Sequence, residues 1–377
     1  MRLLEFQAKR LFSEAGIPVP VGTVVTTSEG LSSLRYPAVL KSQVPAGGRG
    51  KAGGILIAQD APQGVRLGTE MLTASIGGIP VSALLCEEVI RAERELFLSL
   101  MIDASARQWV LLAGAEGGID VEHLFQIHSD RLLRRVIDPA GKVHDFVLRA
   151  MARSMRLTDP SHLRPVVQGM LRLARDHDAT LVEINPLAEA RAGLVALDAK
   201  VVLDDKAHFR HREMFHRLQA EQDALAPRTR SLADERARNR GLRYVPMDGD
   251  IGVISDGAGT GMLTLDLIQD AGGRPANFCE MGGLSNAQTM REAMETVLAD
   301  PRVKVLLVGL IGGLTRMDDM AQGIVDYLEA NRLSVPLVVR MCGTQEEVGK
   351  ARLRSAGISA TDNLEQAVLS AVALSGS

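Results

Sequence analysis

The sequence predicts two α/β domains in tandem. The first is built from antiparallel hairpins with helices beside them, the second from a parallel sheet covered on both faces. Three observations carry this reading. The chain has 377 residues, more than one ordinary core at roughly 100–200 residues per domain. Short β-branched runs joined by Gly- and Pro-bearing turns dominate the first part, whereas strands and helices alternate after about residue 250. Between the two, Gln219 to Arg243 is crowded with Glu221, Asp223, Arg228, Arg230, Asp234, Glu235, Arg236, Arg238 and Arg240 and lacks strand formers. A charge run of this kind reads as a solvated face or linker, with the boundary near Leu242.

The elements follow in order. Leu3, Leu4, Ala8 and Leu11 recur at near-helical spacing around Glu5, Lys9 and Arg10. Gly16, Pro18 and Pro20 end that helix. Gly22–Thr27 and Tyr36–Val44 read as strands, the second carrying one lysine, Lys41. Pro45 to Gly54 is a glycine-rich basic loop, and Ile55–Ala58 is the return strand. Strands are expected at Ala83–Leu85, Glu95–Ile102 and Trp109–Ala113, and helices at Val143–Arg156 and Val166–His177. Thr180–Leu187 is a strand from which Glu183 and Asn185 project, with Leu194–Lys200 as its hairpin partner through Gly193. In the second domain, Ile251–Ser255 is a strand, Asp256–Gly261 a turn and Met262–Asp270 a helix. Ser285 and Gln288 form an S-x-x-Q capping box for the next helix. Val303–Leu310 and Val335–Met341 are apolar strands, and Leu364–Leu374 is a closing helix.

Composition excludes several functions. There are 46 acids against 43 bases, so a strongly basic nucleic-acid surface is not expected. Aromatic residues are 3% of the chain, too few for a stacking platform. No uncharged apolar run reaches the ~18–20 residues that span a bilayer. Three scattered cysteines make neither a disulfide scaffold nor a zinc cluster. Glu5 falls where a signal peptide places its apolar region, so the expectation is a cytoplasmic protein with no membrane and no nucleic-acid partner.

Several groups are candidates for chemistry. Small residues around Gly48, Arg49 and Gly50 allow backbone N–H groups to approach an anion, and Arg49 and Lys51 add charge, although the Walker A spacing is absent. Lys41 within an apolar strand needs a partner, a ligand or an edge facing water. Glu87 and Glu95 lie beside strands, where acids at a pocket rim accept from base or ribose, or are simply solvated. Glu183 and Asn185, two apart, share a strand face, and the hairpin return brings Asp198 opposite. A carboxylate with an amide oxygen suits a hard cation such as Mg2+; polar residues on an edge facing solvent are the alternative. Gly257-x-Gly259-x-x-Met262 lacks the third glycine of a dinucleotide fingerprint, but a strand–turn–helix unit still offers a helix N-terminus, as does Gly312-Gly313-Leu314-Thr315. No histidine or cysteine sits in a nucleophile pattern, and His208, His211 and His216 lie in a charged helical stretch.

Taken in order, these residues resemble the β subunit of succinate–CoA ligase and the related NDP-forming acyl-CoA synthetases. The matching segments are Glu5-Phe6-Gln7-Ala8-Lys9, Lys41 to Gly54, Glu183 to Leu187, Leu197 to Lys200, Pro275 to Phe278 and Pro336 to Arg340. The resemblance runs from Met1 to about Leu374. It implies an N-terminal ATP-grasp domain of two α+β lobes over 1–225, a charged linker over 226–243 and a C-terminal flavodoxin-like CoA-ligase domain over 244–377. It implies ATP as substrate, with Lys41, Gly48, Arg49 and Gly50 at the phosphates, Glu87 and Glu95 at base and ribose, and Ile90 at the hinge. Asn185 and Asp198 would ligate Mg2+, and Glu183 would face a phosphohistidine carried by a partner α subunit that also binds CoA. Asp256, Gly313, Leu314 and Thr315 would line the carboxylate substrate's site. Pro20 stands where GTP-specific members tend to carry Gln, which favours ATP.

The substrate half departs from the family pattern. Asp256 replaces an asparagine, and Met281 to Asn286, Gly309 to Leu314 and Cys342 to Thr344 differ from the family's turns. An ionised aspartate facing a carboxylate repels it unless it is protonated or paired, for example with Arg316. The leading expectation is therefore a subunit of an ATP-dependent carboxylate–CoA ligase acting on succinate or on another small acid such as malate. A nucleotide-binding regulatory subunit without acyl-CoA activity and a stand-alone ATP-grasp carboxylate–amine ligase are the competing readings.

Overall fold

The computed structural model describes residues 1–45, 48–105, 107–118, 132–137, 143–225, 237, 240–283 and 285–376. It divides into two compact units, Met1–Pro227 and Arg228–Ser377.

In the first unit, helix α1 (Glu5–Glu14) precedes β1 (Gly22–Val25) and α2 (Ser28–Ser32). Strands β2 (Ala38–Ser42) and β3 (Ile55–Ala58) follow, then α3 (Ala61–Thr73), the short pair β4 (Ser75–Ile76) and β5 (Ile79–Pro80), and β6 (Leu84–Glu88). The connection 89–93 leads to β7 (Arg94–Asp103), β8 (Gln108–Gly114), β9 (Leu132–Val136), α4 (Asp145–Ser154) and α5 (Leu163–Asp176). Then come β10 (Ala179–Ala190), β11 (Gly193–Ala196), β12 (Lys200–Leu203) and α6 (Arg212–Leu225). Two main antiparallel sheets result. The smaller has the order β1-β6-β2-β3; the larger has β11-β10-β7-β8-β9, with β12 also on β10.

Helix α1 sits where the two sheets meet. Its apolar residues Ala8, Leu11 and Phe12 join the large-sheet core with Leu96, Leu98, Val182 and Ile184. The Gln7 side chain accepts from the Leu4 N–H (3.1 Å) and donates to the Leu218 carbonyl (2.9 Å), so one amide closes the helix start and ties it to α6. That leaves Glu5 and Lys9 on the face turned to the small sheet. Burial of Phe215 and Leu218 also explains why helix extends into the charged run as far as Leu225. Most of the expected linker, 226–236 and 238–239, lies outside the described residues, as do Ala46 and Gly47 of the basic loop and Leu284 of the drifted turn.

The second unit contains β13 (Arg243–Pro246), β14 (Ile251–Ser255), α7 (Ala258–Asp270), β15 (Asn277–Glu280), α8 (Ala287–Val297) and β16 (Val305–Gly312). It continues with α9 (Met317–Ala330), β17 (Leu337–Gly343), α10 (Glu346–Ser355), β18 (Ala360–Thr361) and α11 (Leu364–Ser375). The sheet order is β13-β15-β14-β16-β17-β18, parallel except for β13. The five parallel strands have the flavodoxin-like order 2-1-3-4-5. Strand residues alternate between two cores. Ile254, Leu306, Val308 and Leu310 pack with Met290, Met294, Met317 and Ile324 of α8 and α9. Ile251, Val253, Val305 and Leu307 pack with Leu265, Ile268, Ala367, Val368 and Ala371 of α7 and α11. Both faces are thus covered.

Two local expectations are corrected. The run Leu194–Lys200 is not one strand, because β11 stops at Ala196 and β12 starts at Lys200. The Asp198 carboxylate accepts from the Ala199 N–H (2.7 Å) and Lys9 and Lys41 both bond the Leu197 carbonyl, so these groups are engaged outside the ladder. Helix α8 is capped by Asn286, whose Oδ1 accepts from the Thr289 N–H at 3.0 Å, whereas the Ser285 hydroxyl donates to the Gly282 carbonyl.

Candidate active site

The register of β2 against β6 builds the first part of the site. Lys41 pairs with Leu85 and Val39 with Glu87, so Lys41 and Glu87 are diagonal neighbours on one face of the small sheet. Across that face comes α1. Lys41 Nζ lies 3.0 Å from Glu5 Oε1 and 2.7 Å from Glu87 Oε2, and it also donates to the Leu197 carbonyl. Lys9 Nζ donates to Glu87 Oε2 at 2.6 Å and to the Leu197 carbonyl at 2.7 Å.

The loop after β2 adds the third cation. Its turn is closed by the Gly54 N–H donating to the Arg49 carbonyl at 2.7 Å, and Gly48 takes a left-handed conformation (φ +69°) that suits glycine. The Arg49 guanidinium folds inward. Nη1 lies 2.7 Å from Glu5 Oε2 and donates to the Ser42 carbonyl at 3.0 Å, while Nη2 donates to Asp198 Oδ1 at 2.9 Å. Three cations, Lys9, Lys41 and Arg49, therefore face three carboxylates, Glu5, Glu87 and Asp198. Against the desolvation of burial, Lys41, Arg49 and Lys9 hold the Glu5 carboxyl down at about 2. Lys41 is likewise held above its ordinary range: burial works against its charge, but Glu5 and Glu87 prevail.

The large sheet supplies the oxygen donors. Leu187 pairs with Ala196 across β10 and β11, and the Leu197 N–H donates to the Pro186 carbonyl at 3.0 Å. Continuing that register by two residues sets Asn185 opposite Asp198. Asn185 Oδ1 accepts from the Gly118 N–H at 2.7 Å, and a Cβ on Gly118 would stand 2.9 Å from Glu95 Oε2, so Glu95 and Asn185 converge on Gly118. Glu183 pairs in register with Lys200, whose Nζ lies 3.7 Å from its carboxylate. An amide oxygen with a carboxylate is a donor set that fits a hard divalent cation, the remaining positions falling to water and phosphate oxygens.

The structure thus brings together Lys41, Arg49, Glu87 and Asp198, with Asn185 opposite Asp198 and Glu95 beside it. The Glu87 carboxylate, expected at base and ribose, is committed to Lys9 and Lys41 instead. Ile90 lies in the connection between β6 and β7, which joins the two sheets. Gly50 is exposed in the basic turn. Glu5, Lys9, Leu197 and Gly118 were not singled out from the sequence. A signal existed for Glu5 and Lys9: an acid and a base four apart that share one helical face.

In the second unit, Asp256 directly follows β14 and the loop Gly313 to Thr315 follows β16, at the point where the strand order reverses. Asp256 is buried and both its oxygens accept from the Ile311 N–H, at 3.1 and 3.0 Å. Burial pushes its carboxyl above the ordinary range, opposed by that N–H and by the charge of Arg340. Arg340 is itself buried on β17 and donates to the Leu310 carbonyl at 2.8 Å. The expected Asp256–Arg316 pairing is not formed; Arg316 binds Asp318 at 2.8 Å. Gly313 is exposed, Thr315 buried, and Leu314 stands 80% exposed between them.

Comparison with known proteins agrees with this division. The ATP-grasp domain family model matches residues 2–189 and the CoA-ligase family model matches residues 254–374. The chain is 38% identical over 380 residues to the ADP-forming succinate–CoA ligase subunit β of Ignicoccus hospitalis, covering 99% of each. Identity to the subunit of the same name from Pyrobaculum aerophilum is 38% over 384 residues, again covering 99% of each. For Chloroflexus aurantiacus it is 36% over 381 residues, covering 99% of this chain and 98% of that one. Among solved structures, ATP citrate lyase from Methanothrix soehngenii, in complex with citrate and coenzyme A, superposes with a TM-score of 0.74 over 99% of both chains at 21% identity.

Proposed function

The chain belongs to the family of ADP-forming succinate–CoA ligase β subunits, and from that premise we propose that its N-terminal unit binds Mg-ATP and passes a phosphoryl group to a histidine of a partner α subunit. It is a subunit of an ATP-dependent acid–CoA ligase, a heteromeric enzyme that uses a divalent metal. The observation that carries the proposal is the joint burial of Lys41 and Arg49, with Arg49 bonded to Asp198 at the return of the hairpin whose other arm carries Asn185. Cations for phosphate and oxygens for a hard cation then meet at one place.

In this reading, Lys41, Arg49 and the backbone of Gly48 and Gly50 hold the ATP phosphates. Charge-assisted hydrogen bonds from a buried ammonium and a planar guanidinium fix the phosphoryl group for in-line transfer, which needs positioning and charge more than covalent chemistry from this chain. Asn185 and Asp198 hold Mg2+, which when bound neutralises phosphate charge. Ile90 and Glu95, on and just after the connection between the sheets, take the base and ribose, and Glu87 acts from beneath by setting Lys41. Glu183 orients the incoming histidine, with Lys200 keeping its carboxylate in place. Acyl transfer to CoA, bound mainly by the partner, falls to the second unit, where Asp256, Gly313, Leu314 and Thr315 line the acid's site. Among the described residues no helix is long and apolar enough to cross a membrane, in keeping with a cytoplasmic enzyme.

The test is reconstitution. The chain combined with its α partner should form acyl-CoA from ATP, CoA and a small dicarboxylic acid, with ADP released. The partner's histidine should become labelled from γ-labelled ATP. Binding of nucleotide without any thioester product for a panel of acids would favour the regulatory reading and refute this one.

A further inference from the structure

Five of the six clustered charges are buried and Asp198 is only partly so. Side-chain exposure rises from 1% for Glu5 and 2% for Glu87 through 5% for Lys9, 8% for Lys41 and 9% for Arg49 to 32% for Asp198. Asp198 is the one member with substantial solvent exposure, and Glu5 is the least exposed of the six. Glu5 thus touches the cations from the most buried position in the cluster. Its two oxygens are shared among the cations: Oε1 takes Lys41 at 3.0 Å and Lys9 at 3.2 Å, and Oε2 takes Arg49 at 2.7 Å. No other carboxylate among the described residues touches both. Glu87 reaches Lys41 and Lys9, and Asp198 reaches Arg49 alone.

The Arg49 contact is a short, buried, charge-assisted one: Nη1 lies 2.7 Å from Glu5 Oε2 while the same guanidinium donates to the Ser42 carbonyl and to Asp198. Burying a carboxylate is costly unless it is paired, so Glu5 and its cations hold one another in place. The helix that carries it is anchored independently through Gln7 to Leu218 and through Arg10 to Glu221, at 2.8 and 2.9 Å. Helix α1 thereby presents a fixed anion to two side chains that come from β2 and from a turn, whose own backbones do not constrain their tips.

We propose that Glu5 is a positioning residue for nucleotide binding: from its buried position, it sets the distance and orientation between Lys41 Nζ and the Arg49 guanidinium so that both reach phosphate oxygens together. This rests on the reading of Lys41 and Arg49 as phosphate ligands. It differs from a purely electrostatic role in sign. A carboxylate that only neutralised the cations would weaken phosphate binding, and its removal would tighten it; a carboxylate that positions them strengthens binding, and its removal loosens it.

The experiment uses the complex of this chain with its α partner. The double variant Glu5→Gln/Lys9→Met removes one negative and one positive charge, so the buried cluster stays neutral and the cost of an unpaired buried charge is avoided. Glu5→Asp keeps the charge and shortens the arm, and serves if the double variant does not fold. Either should raise the KM for ATP about tenfold, with a smaller change in kcat and none in the KM for the acid. Tenfold corresponds to about 1.4 kcal/mol of binding lost. An ATP KM unchanged or lowered in the folded double variant, or unchanged in Glu5→Asp, overturns the proposal. Lys41→Met separates the two layers. If it raises the ATP KM while the Glu5 variants do not, only the positioning role fails. If it also leaves the KM unmoved, the nucleotide reading of the cluster fails.

Discussion

Replacing Asp256 with asparagine changes one charge and almost no volume, at a position proposed to line the acid's site. Asp256 is 4% exposed and receives the Ile311 N–H on both oxygens. An asparagine Oδ1 can accept that same N–H, so the tie between the β14 turn and the end of β16 survives. What changes is the field at the carboxyl ends of the strands. Two like charges ~4 Å apart in an effective dielectric of ~20 repel by about 4 kcal/mol. Arg340 is buried on the adjoining strand and its charge acts on Asp256, which offsets part of that. A net relief of roughly 1.4–2.7 kcal/mol, or 10- to 100-fold in kcat/KM, is the expected gain for succinate. The assay compares kcat/KM for succinate and for a hydroxy-dicarboxylate in the wild-type and Asp256→Asn complexes, with the KM for ATP as control. If succinate gains nothing while the ATP KM is unchanged, Asp256 does not face the acid. Stability supplies a second reading. A carboxyl whose folded value is raised binds its proton more tightly in the native state, so its ionisation costs stability above the ordinary value and the cost vanishes as pH falls below it. Asp256→Asn should therefore melt higher than wild type at pH 7, and the difference should shrink as pH is lowered toward 4.

Three further outcomes are expected. Asp198→Ala should cut ATP-dependent labelling of the partner's histidine at limiting Mg2+ by at least tenfold, with recovery at high Mg2+; labelling equal to wild type at limiting Mg2+ would remove Asp198 from the metal site. The chain purified alone should form no acyl-CoA from ATP, CoA and any acid, because no nucleophile stands in a plausible setting in its sequence, and robust turnover would refute the two-subunit mechanism. Gly323→Ala should destabilise the second unit by roughly 1–3 kcal/mol, since a Cβ there would stand 2.3 Å from the Ala287 carbonyl oxygen and 2.8 Å from Met290 Cβ where α9 crosses α8; a melting temperature within a degree of wild type would show that the two helices can separate without cost.

The sequence by itself determined the class of both units. Alternation of apolar strands and capped helices after residue 250 admits few arrangements other than a covered parallel sheet, because the central strands β14 and β16 are apolar on both faces and need a helix layer on each. The hairpin of β10 and β11 through the Gly193 turn was legible too, although its return strand breaks after Ala196, before Asp198. Lys41 announced itself as a cation in an apolar strand. What occupied it was decided only in three dimensions: Glu5 lies 36 positions earlier on a helix, Glu87 far along the chain on the adjoining strand β6, and Leu197 lends its carbonyl from a break in a predicted strand. None of those partners is within reach of a local pattern. The same limit explains Asp256. A sequence shows an acid at a strand end; it does not show that the acid is buried, bound to the Ile311 N–H and left unpaired by Arg316. Ion pairing in a buried cluster depends on which side chains the packed core brings within about 4 Å, and that is set by how α1 docks between the sheets, a contact of high sequence separation that no periodicity records.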